Sequence, residues 1–346
     1  MHMHAVKTGQ QRLELVPTTG YDTGTVHPAA CRATSFVHVA HNAISLAAPS
    51  REMPVARSLR AVLAIALWTC GVIGQTTTVS TLSALRNALS SSDAHIVVAP
   101  GSGPFNLGGT PLDVAINTVI EGNGVELNAG GSSRAMVVTI ATGSVSISGV
   151  TFRGGDTTSL HASVSGTAGG YGGGLMVAST ASVTLDNCVF RDSSADYSGG
   201  GLFTAGASMV TNTRFVSCSS RDLIVSEGGG GVGVGTTGNF TCIGCSFESC
   251  TAARIGGGVW AAGVQQVAIY SSFFTSCRAG TAGSADSLSG AAKGGAMLFD
   301  GSYVWIYDTV ISGCATVTSP AGFARLTPHP HPSSSSDSVS VSGVSC

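Results

Sequence analysis

Two sets of side chains in this 346-residue chain could do chemistry: scattered carboxylates and a run of cysteines. From the middle of the chain to the end of the last glycine-marked coil the acids are Asp186, Asp192, Asp196, Asp222, Glu227, Glu248, Asp286, Asp300 and Asp308. Two carboxylates about 5 to 9.5 Å apart would serve glycoside cleavage, and several carboxylate oxygens around one point would hold Ca2+. Asp186 and Asp192 are the pair an enzyme acting on polysaccharide would use. Asp192 and Asp196 with Glu227 are the set that would hold Ca2+, against the simpler reading of solvated turn acids.

The chain has ten cysteines, with Cys31 and Cys70 early and the other eight from Cys188 onward. That density suits an oxidising compartment, or buried thiols in a reducing one. Cys242-x-x-Cys245 with Cys250 has zinc-like spacing, but the further ligands a zinc site needs are missing, so these read as structural thiols. His329 and His331 alternate with prolines and read as a solvated linker. Asn239-Phe240-Thr241 is an N-glycosylation sequon, meaningful in a eukaryotic secretory route. Trp260, Tyr270, Trp305 and Tyr307 fall in strand-like segments; an exposed aromatic pair would suit sugar stacking, and packing within or on the strands is the default.

The elements that must position these groups repeat. A run GG[GA] plus an apolar residue ends at Leu175, Leu202, Val232, Val259 and Met297, in steps of 27, 30, 27 and 38 residues. After each run, 13 to 15 residues on, stands a second mark: FRDS at Phe190, FVSC at Phe215, FESC at Phe247, FTSC at Phe274 and ISGC at Ile311. Paired marks at such a period indicate stacked coils rather than a globular core. Aligned on the aromatic, the residue two before it is Val150, Cys188, Thr213, Cys245, Ser272 and Thr309, and Asn187, Asn212 and Asp308 stand three before it. Three after it come Gly155, Ser193, Cys218, Cys250, Cys277 and Cys314. Residues of one column should lie about 4.8 Å apart in neighbouring coils, with Phe and Val stacked inside, Asn at turns and glycine where the chain bends with positive φ. No column collects acids in adjacent coils. The cysteine column predicts at least one cross-coil disulfide among Cys218, Cys250, Cys277 and Cys314, because that spacing falls in the disulfide Cα range; stacking of the thiols is the other arrangement.

The GGGL, GGGV and GGAM runs with F-x-x-C resemble the GGA[ILV] and F-x-x-N repeat pair of the polymorphic outer-membrane protein family, with cysteine in place of asparagine. The resemblance spans roughly residues 80 to 318, its paired motif 172 to 314. It implies an all-β, right-handed parallel β-helix of pectin-lyase-like architecture. Enzymes of that architecture gather acids on one sheet beside an Arg or Lys, and the NTD, DD, GHG and RIK set of polygalacturonases does not occur in this sequence.

The rest of the chain fits a solenoid. Charged residues make up 10%, against about 25% in typical domains, and 48 glycines favour strands and tight turns. The net charge of -2, without a basic cluster interleaved with aromatics, excludes nucleic acid as the expected partner. Residues 1–52 lack periodicity and read as disordered or as a gene-model extension. Residues 53–74 contain two arginines, an apolar run AVLAIALWTCGVI and a small residue, the three parts of a signal peptide; the run also fits a membrane anchor or targeting extension. Translation from Met53 and a mature start near Gln75 are the expectation, with no membrane span in the mature chain.

Residues 75–94 read as a link and a short N-terminal capping helix, with Ser80 as N-cap and Leu82, Leu85 and Leu89 on one face. Residues 95–318 read as the β-helix and 319–346 as a disordered Ser/Pro-rich tail, the last coil ending near Cys314 as in a fragment of a longer chain. Long insertions precede the first and fifth glycine runs and read as tolerated loops or binding loops. The functional expectation is a secreted or cell-surface, non-catalytic module of adhesin or matrix type that binds glycans or proteins. The alternative is a polysaccharide lyase or glycoside hydrolase, which three or more carboxylates converging with an arginine in one groove would favour. No cofactor is expected beyond the Ca2+ alternative.

Overall fold

The structure, a computed structural model, describes residues 3–7, 13–17, 76–91, 94–157, 169–221, 227–264, 266–280, 294–316, 323–326 and 340–342. The chain divides into two units, residues 1–70 and 71–346. In the first, Met3–Lys7 and Leu13–Pro17 pair antiparallel, so part of the segment expected to be disordered is regular. Leu13 and Leu15 alternate with Glu14 there, a short period-two pattern. The expected signal peptide at 53–74 lies outside the described residues.

The second unit is an all-β parallel β-helix. An eight-stranded, a sixteen-stranded and a five-stranded sheet run along it. One coil shows the logic: Leu202–Thr204 joins the first sheet, Ala207–Thr211 and Arg214–Val216 the second, and Ser219–Ser220 the third. Each strand pairs in parallel with its equivalent in the next coil, Leu202 opposite Val232, Val210 opposite Cys242, Phe215 opposite Phe247 and Ser219 opposite Thr251. In-register stacking makes columns of like residues, and the aromatic mark is the inner one. Phe152, Phe190, Phe215, Phe247 and Phe274 are fully buried, with near-parallel rings at successive centroid spacings of 4.6, 4.9, 4.7 and 4.4 Å. Leu127 and Ile311 continue the column at either end.

The glycine runs do two jobs. Only the first residue bends the chain: Gly199 has φ 69° and Gly256 φ 62°, the left-handed region that glycine enters without penalty. The second and third are there for close approach, which corrects the reading of the whole run as bends. A Cβ on Gly200 would stand 2.2 Å from the Ser219 carbonyl oxygen, and one on Gly201 2.9 Å from Cδ1 of Phe215. The third glycine therefore faces the ring of its own coil's aromatic mark, and the same holds for Gly174 with Phe190, Gly231 with Phe247 and Gly258 with Phe274. In the fifth coil the aromatic mark is the smaller Ile311 and the third position is Ala296.

Corners are also columns. Asn187, Asn212, Ser271 and Asp308 take φ of 48–50° at one corner, and Asp192, Ser217, Ser249 and Ser276 take 52–56° at another. Asn and Asp tolerate this conformation better than other side chains.

At the N-terminal end, Thr76–Val79 pairs in parallel with Ala94–Val98, so the expected link is already the first strand of the solenoid. Helix Leu82–Leu89 is the crossover that such a parallel pair requires. Its N-cap is Thr81 rather than Ser80, the Thr81 Oγ1 accepting from the Ala84 N–H at 3.2 Å. Leu85, Ala88 and Leu89 are buried, and Arg86 donates to the carbonyls of Pro111 at 3.0 Å and Thr110 at 2.6 Å. The helix is thereby tied across the first coil, as a cap must be.

At the other end, Phe323–Leu326 pairs with Met297–Asp300 and Ser340–Ser342 with the strand holding Trp305 and Tyr307. The stack thus recruits two pieces of the segment expected to be a disordered tail, because each outermost strand offers unpaired backbone groups to the next. Among the described residues no helix is long and apolar enough to cross a membrane.

Candidate functional site

Strands Thr118–Asn128 and Ser144–Arg153 end in register, Asn128 opposite Arg153, and Arg153 lies opposite Arg191 in the following coil. At once the chain turns a corner with Gly154 at φ 61° and Asp192 at φ 53°. The corner lines an open cleft of about 350 Å³ with Asn128, Gly130, Gly131, Arg153, Gly154, Gly155, Asp156, Asp192 and Ser194.

Stacking two arginines about 4.8 Å apart requires counter-charges, and Glu126 and Asp192 supply them. Arg153 lies 3.2 Å from Glu126 and 3.8 Å from Asp192; Arg191 is 3.3 Å from the same Asp192 oxygen. Arg221, one coil further, is 3.3 Å from Asp156 and 3.6 Å from the buried Asp196. Asn128 donates to Asn106 at 3.1 Å and accepts from the Gly130 N–H at 3.0 Å. The Arg153 and Asp192 side chains are 43% and 49% exposed, so the pairs contribute at most about 1 kcal/mol each. They orient groups rather than hold the fold.

The expected catalytic pair is not assembled. Asp186 accepts from the Thr211 hydroxyl at 2.5 Å and from the Asn212 amide at 3.2 Å, at the corner preceding Val189–Arg191. Asp192 stands past that three-residue strand, which alone spans about 10 Å. The Ca2+ set is dispersed too: Asp192 is held by arginines, Asp196 lies under Arg221, and Glu227 accepts from the Tyr171 hydroxyl at 2.7 Å. Among the described residues no group of three or more His, Cys, Asp or Glu could hold a metal ion. Asp222, Asp286, His329 and His331 lie outside the described residues.

Sequence reasoning missed Glu126, Arg153 and Asp156, which precede the first glycine run. A legible sign was the column just after the aromatic mark, which reads Arg153 and then Arg191 in adjacent coils.

Glu227 is partly buried beside Tyr171, and that burial, opposed by the Tyr171 hydrogen bond, raises its pKa above the ordinary carboxylate value of 4.5. A raised folded-state pKa means stability present below the unfolded value is lost as pH rises through the folded one. Glu227→Gln should therefore melt above the parent at pH 7 and together with it at pH values below 4.5. Thermal unfolding across that range checks the sign; a Glu227→Gln protein that is less stable at pH 7 would refute it.

The cysteine column is assembled, and it corrects the disulfide expectation. Cys218, Cys250, Cys277 and Cys314 are buried free thiols, as are Cys188, Cys242 and Cys245. In-register strands keep side chains parallel, so neighbouring Cβ atoms stand as far apart as the strands, about 4.8 Å, beyond the ~3.5–4.5 Å of a disulfide. The thiols donate to carbonyls instead, Cys250 to Phe215 at 3.4 Å and Cys277 to Phe247 at 3.4 Å, and Cys314 Sγ accepts from the Cys277 N–H at 3.3 Å. Burial pushes the Cys188 thiol up to about 12 and raises Cys250 well above the ordinary thiol value, so these groups are poor nucleophiles.

Ser193 occupies the same column and donates to the Arg191 carbonyl at 3.2 Å, as Cys218 does to Val216 at 3.6 Å. Alkylation in denaturant without reductant should label all seven thiols. Cys250→Ser should cost no more than about 1 kcal/mol, where loss of a disulfide would cost about 2–5. Thiols missing from the label in pairs would refute this.

No family model, curated protein or solved structure matches this chain.

Proposed function

We propose that this protein is a secreted or cell-surface β-helix that binds glycan without turning it over, with the cleft at Arg153 and Asp192 as its sugar site. The observation that carries this reading is the set of guanidinium and carboxylate groups fixed in pairs around an open cleft. Planar donors and acceptors held in place match the vicinal hydroxyls of a pyranose. The cluster of Glu126, Asp156, Asp192 and Asp196 with Arg153, Arg191 and Arg221 is formally -1, which suits a neutral glycan better than a polyuronate.

A polysaccharide lyase or hydrolase of pectin-lyase-like type is the second reading, favoured by the placing of Asp156 and Asp192 with Arg153 in one cleft. Two carboxylates line it, each bound to a guanidinium, rather than the three or more that would favour chemistry. A panel of neutral and acidic polysaccharides separates the readings. Binding without release of reducing ends or unsaturated products is expected, weakened about tenfold or more by Arg153→Ala and by Asp192→Asn. Depolymerisation that disappears in Asp192→Asn would establish the enzyme.

A further inference from the structure

The outward face of the sixteen-stranded sheet changes character along the stack. One outward column reads Ser182, Ala207, Asn239 and Gln266 in successive coils. The Val267 N–H bonds to the Tyr303 carbonyl at 2.8 Å, which brings Tyr303 beside Gln266 as the next member. In that coil the sequence alternates: Val304 and Ile306 are buried, while Tyr303 is 40% exposed and Trp305 and Tyr307 are half-buried. Period-two alternation puts all three aromatics on the outer face. Tyr270 stacks on Tyr307 at 5.6 Å, and Ala268, opposite Trp305, is only 1% exposed, closed over by its neighbours. The result is an aromatic strip across the outside of the solenoid.

Asn239 opens the sequon Asn239-Phe240-Thr241. It is exposed, Phe240 points into the core and Thr241 shares the outer face. Its column neighbours Ala207 and Gln266 are also exposed, which leaves room around the amide. Tyr303 lies two coils on, about 10 Å away at the strand spacing.

We propose that Asn239 carries an N-linked glycan and that the inner sugars of this glycan lie over Gln266 onto Tyr303 and Trp305. In the attachment step the Asn239 side-chain nitrogen forms a bond to the anomeric carbon of an oligosaccharide carried on a polyprenyl pyrophosphate. The sugar–phosphate bond breaks, the lipid pyrophosphate leaves and the amide loses one proton. The apolar C–H face of a pyranose then meets the electron-rich face or edge of an aromatic ring. The occupant is thus the protein's own modification, tethered in the column that ends in the strip. The proposal rests on the secretory route of the proposed function but not on the cleft.

The test expresses the full chain behind a heterologous leader in a eukaryotic secretory host, in a Trp68→Phe background. Of the three tryptophans, Trp260 is 6% exposed, so acrylamide quenching then reports Trp305. Peptide mass spectrometry should find a glycan on Asn239 that is lost in both Asn239→Gln and Thr241→Ala. Enzymatic removal of the glycan from the folded protein should raise the quenching slope. The slope of the Asn239→Gln protein should equal that of the deglycosylated form. An unoccupied Asn239 overturns the attachment, and equal quenching before and after removal overturns the packing. Neither result bears on polysaccharide binding at Arg153, so failure here and failure of the cleft reading are told apart.

Discussion

Gly258→Ala lowers the thermal midpoint by a loss of about 1–3 kcal/mol, and adding Phe274→Ile restores part of it. A Cβ on Gly258 would stand 2.8 Å from Cδ1 and Cε1 of Phe274 and 2.7 Å from the Ala296 carbonyl oxygen. The ring is fully buried between Phe247 at 4.4 Å and Ile311 and has nowhere to retreat. The protein itself contains the compensated version, because its fifth coil carries Ala296 where the others have glycine and Ile311 where they have phenylalanine. Rescue is partial, since the backbone oxygen remains and Phe274→Ile gives up a ring stack. The measurement is a double-mutant cycle, and a coupling of zero would show that the two marks do not sense each other.

Phe215→Ala should cost about 3–5 kcal/mol, the range for emptying a large buried site. Phe215 sits in mid-column, 4.9 Å from Phe190 and 4.7 Å from Phe247. Phe152→Ala should cost less, because Phe152 has one ring neighbour, Phe190 at 4.6 Å, and Leu127 on its other side. In a stack whose units contact only their neighbours the damage stays local. Hydrogen exchange should quicken in the strands flanking residue 215 and stay slow from Ile96 to Ile120. Uniform quickening along the stack would refute the nearest-neighbour picture.

The architecture was legible because its columns were written into the sequence. Phe190, Phe215, Phe247 and Phe274 stand 13 to 15 residues after the glycine runs, and each became a layer of the same stack. The glycines were harder to read, since a residue that bends the chain and one that merely has no room for a Cβ look alike in sequence. Gly199 takes φ 69°, whereas Gly201 has no such φ and stands against the ring of Phe215. The cleft was largely hidden. Asp156 and Arg221 meet across 65 residues of sequence, a pairing set by which coil lies on which, and Arg153 belongs to a coil without the glycine mark. The thiols failed as predicted staples for a reason of direction: the columns gave the correct neighbours but not the parallel course of their Cβ vectors.

Helix Leu82–Leu89 gives the stack a direction in time as well as in space. It closes the end of the stack that leaves the ribosome first, with Arg86 already fastened to Thr110 and Pro111 once the 25 residues beyond it have emerged. Each later coil is then laid on a finished one, in the order of translation, and the growing edge is only ever one coil wide. A nascent chain halted after any glycine run should accordingly hold the same coils below that point as the full-length protein.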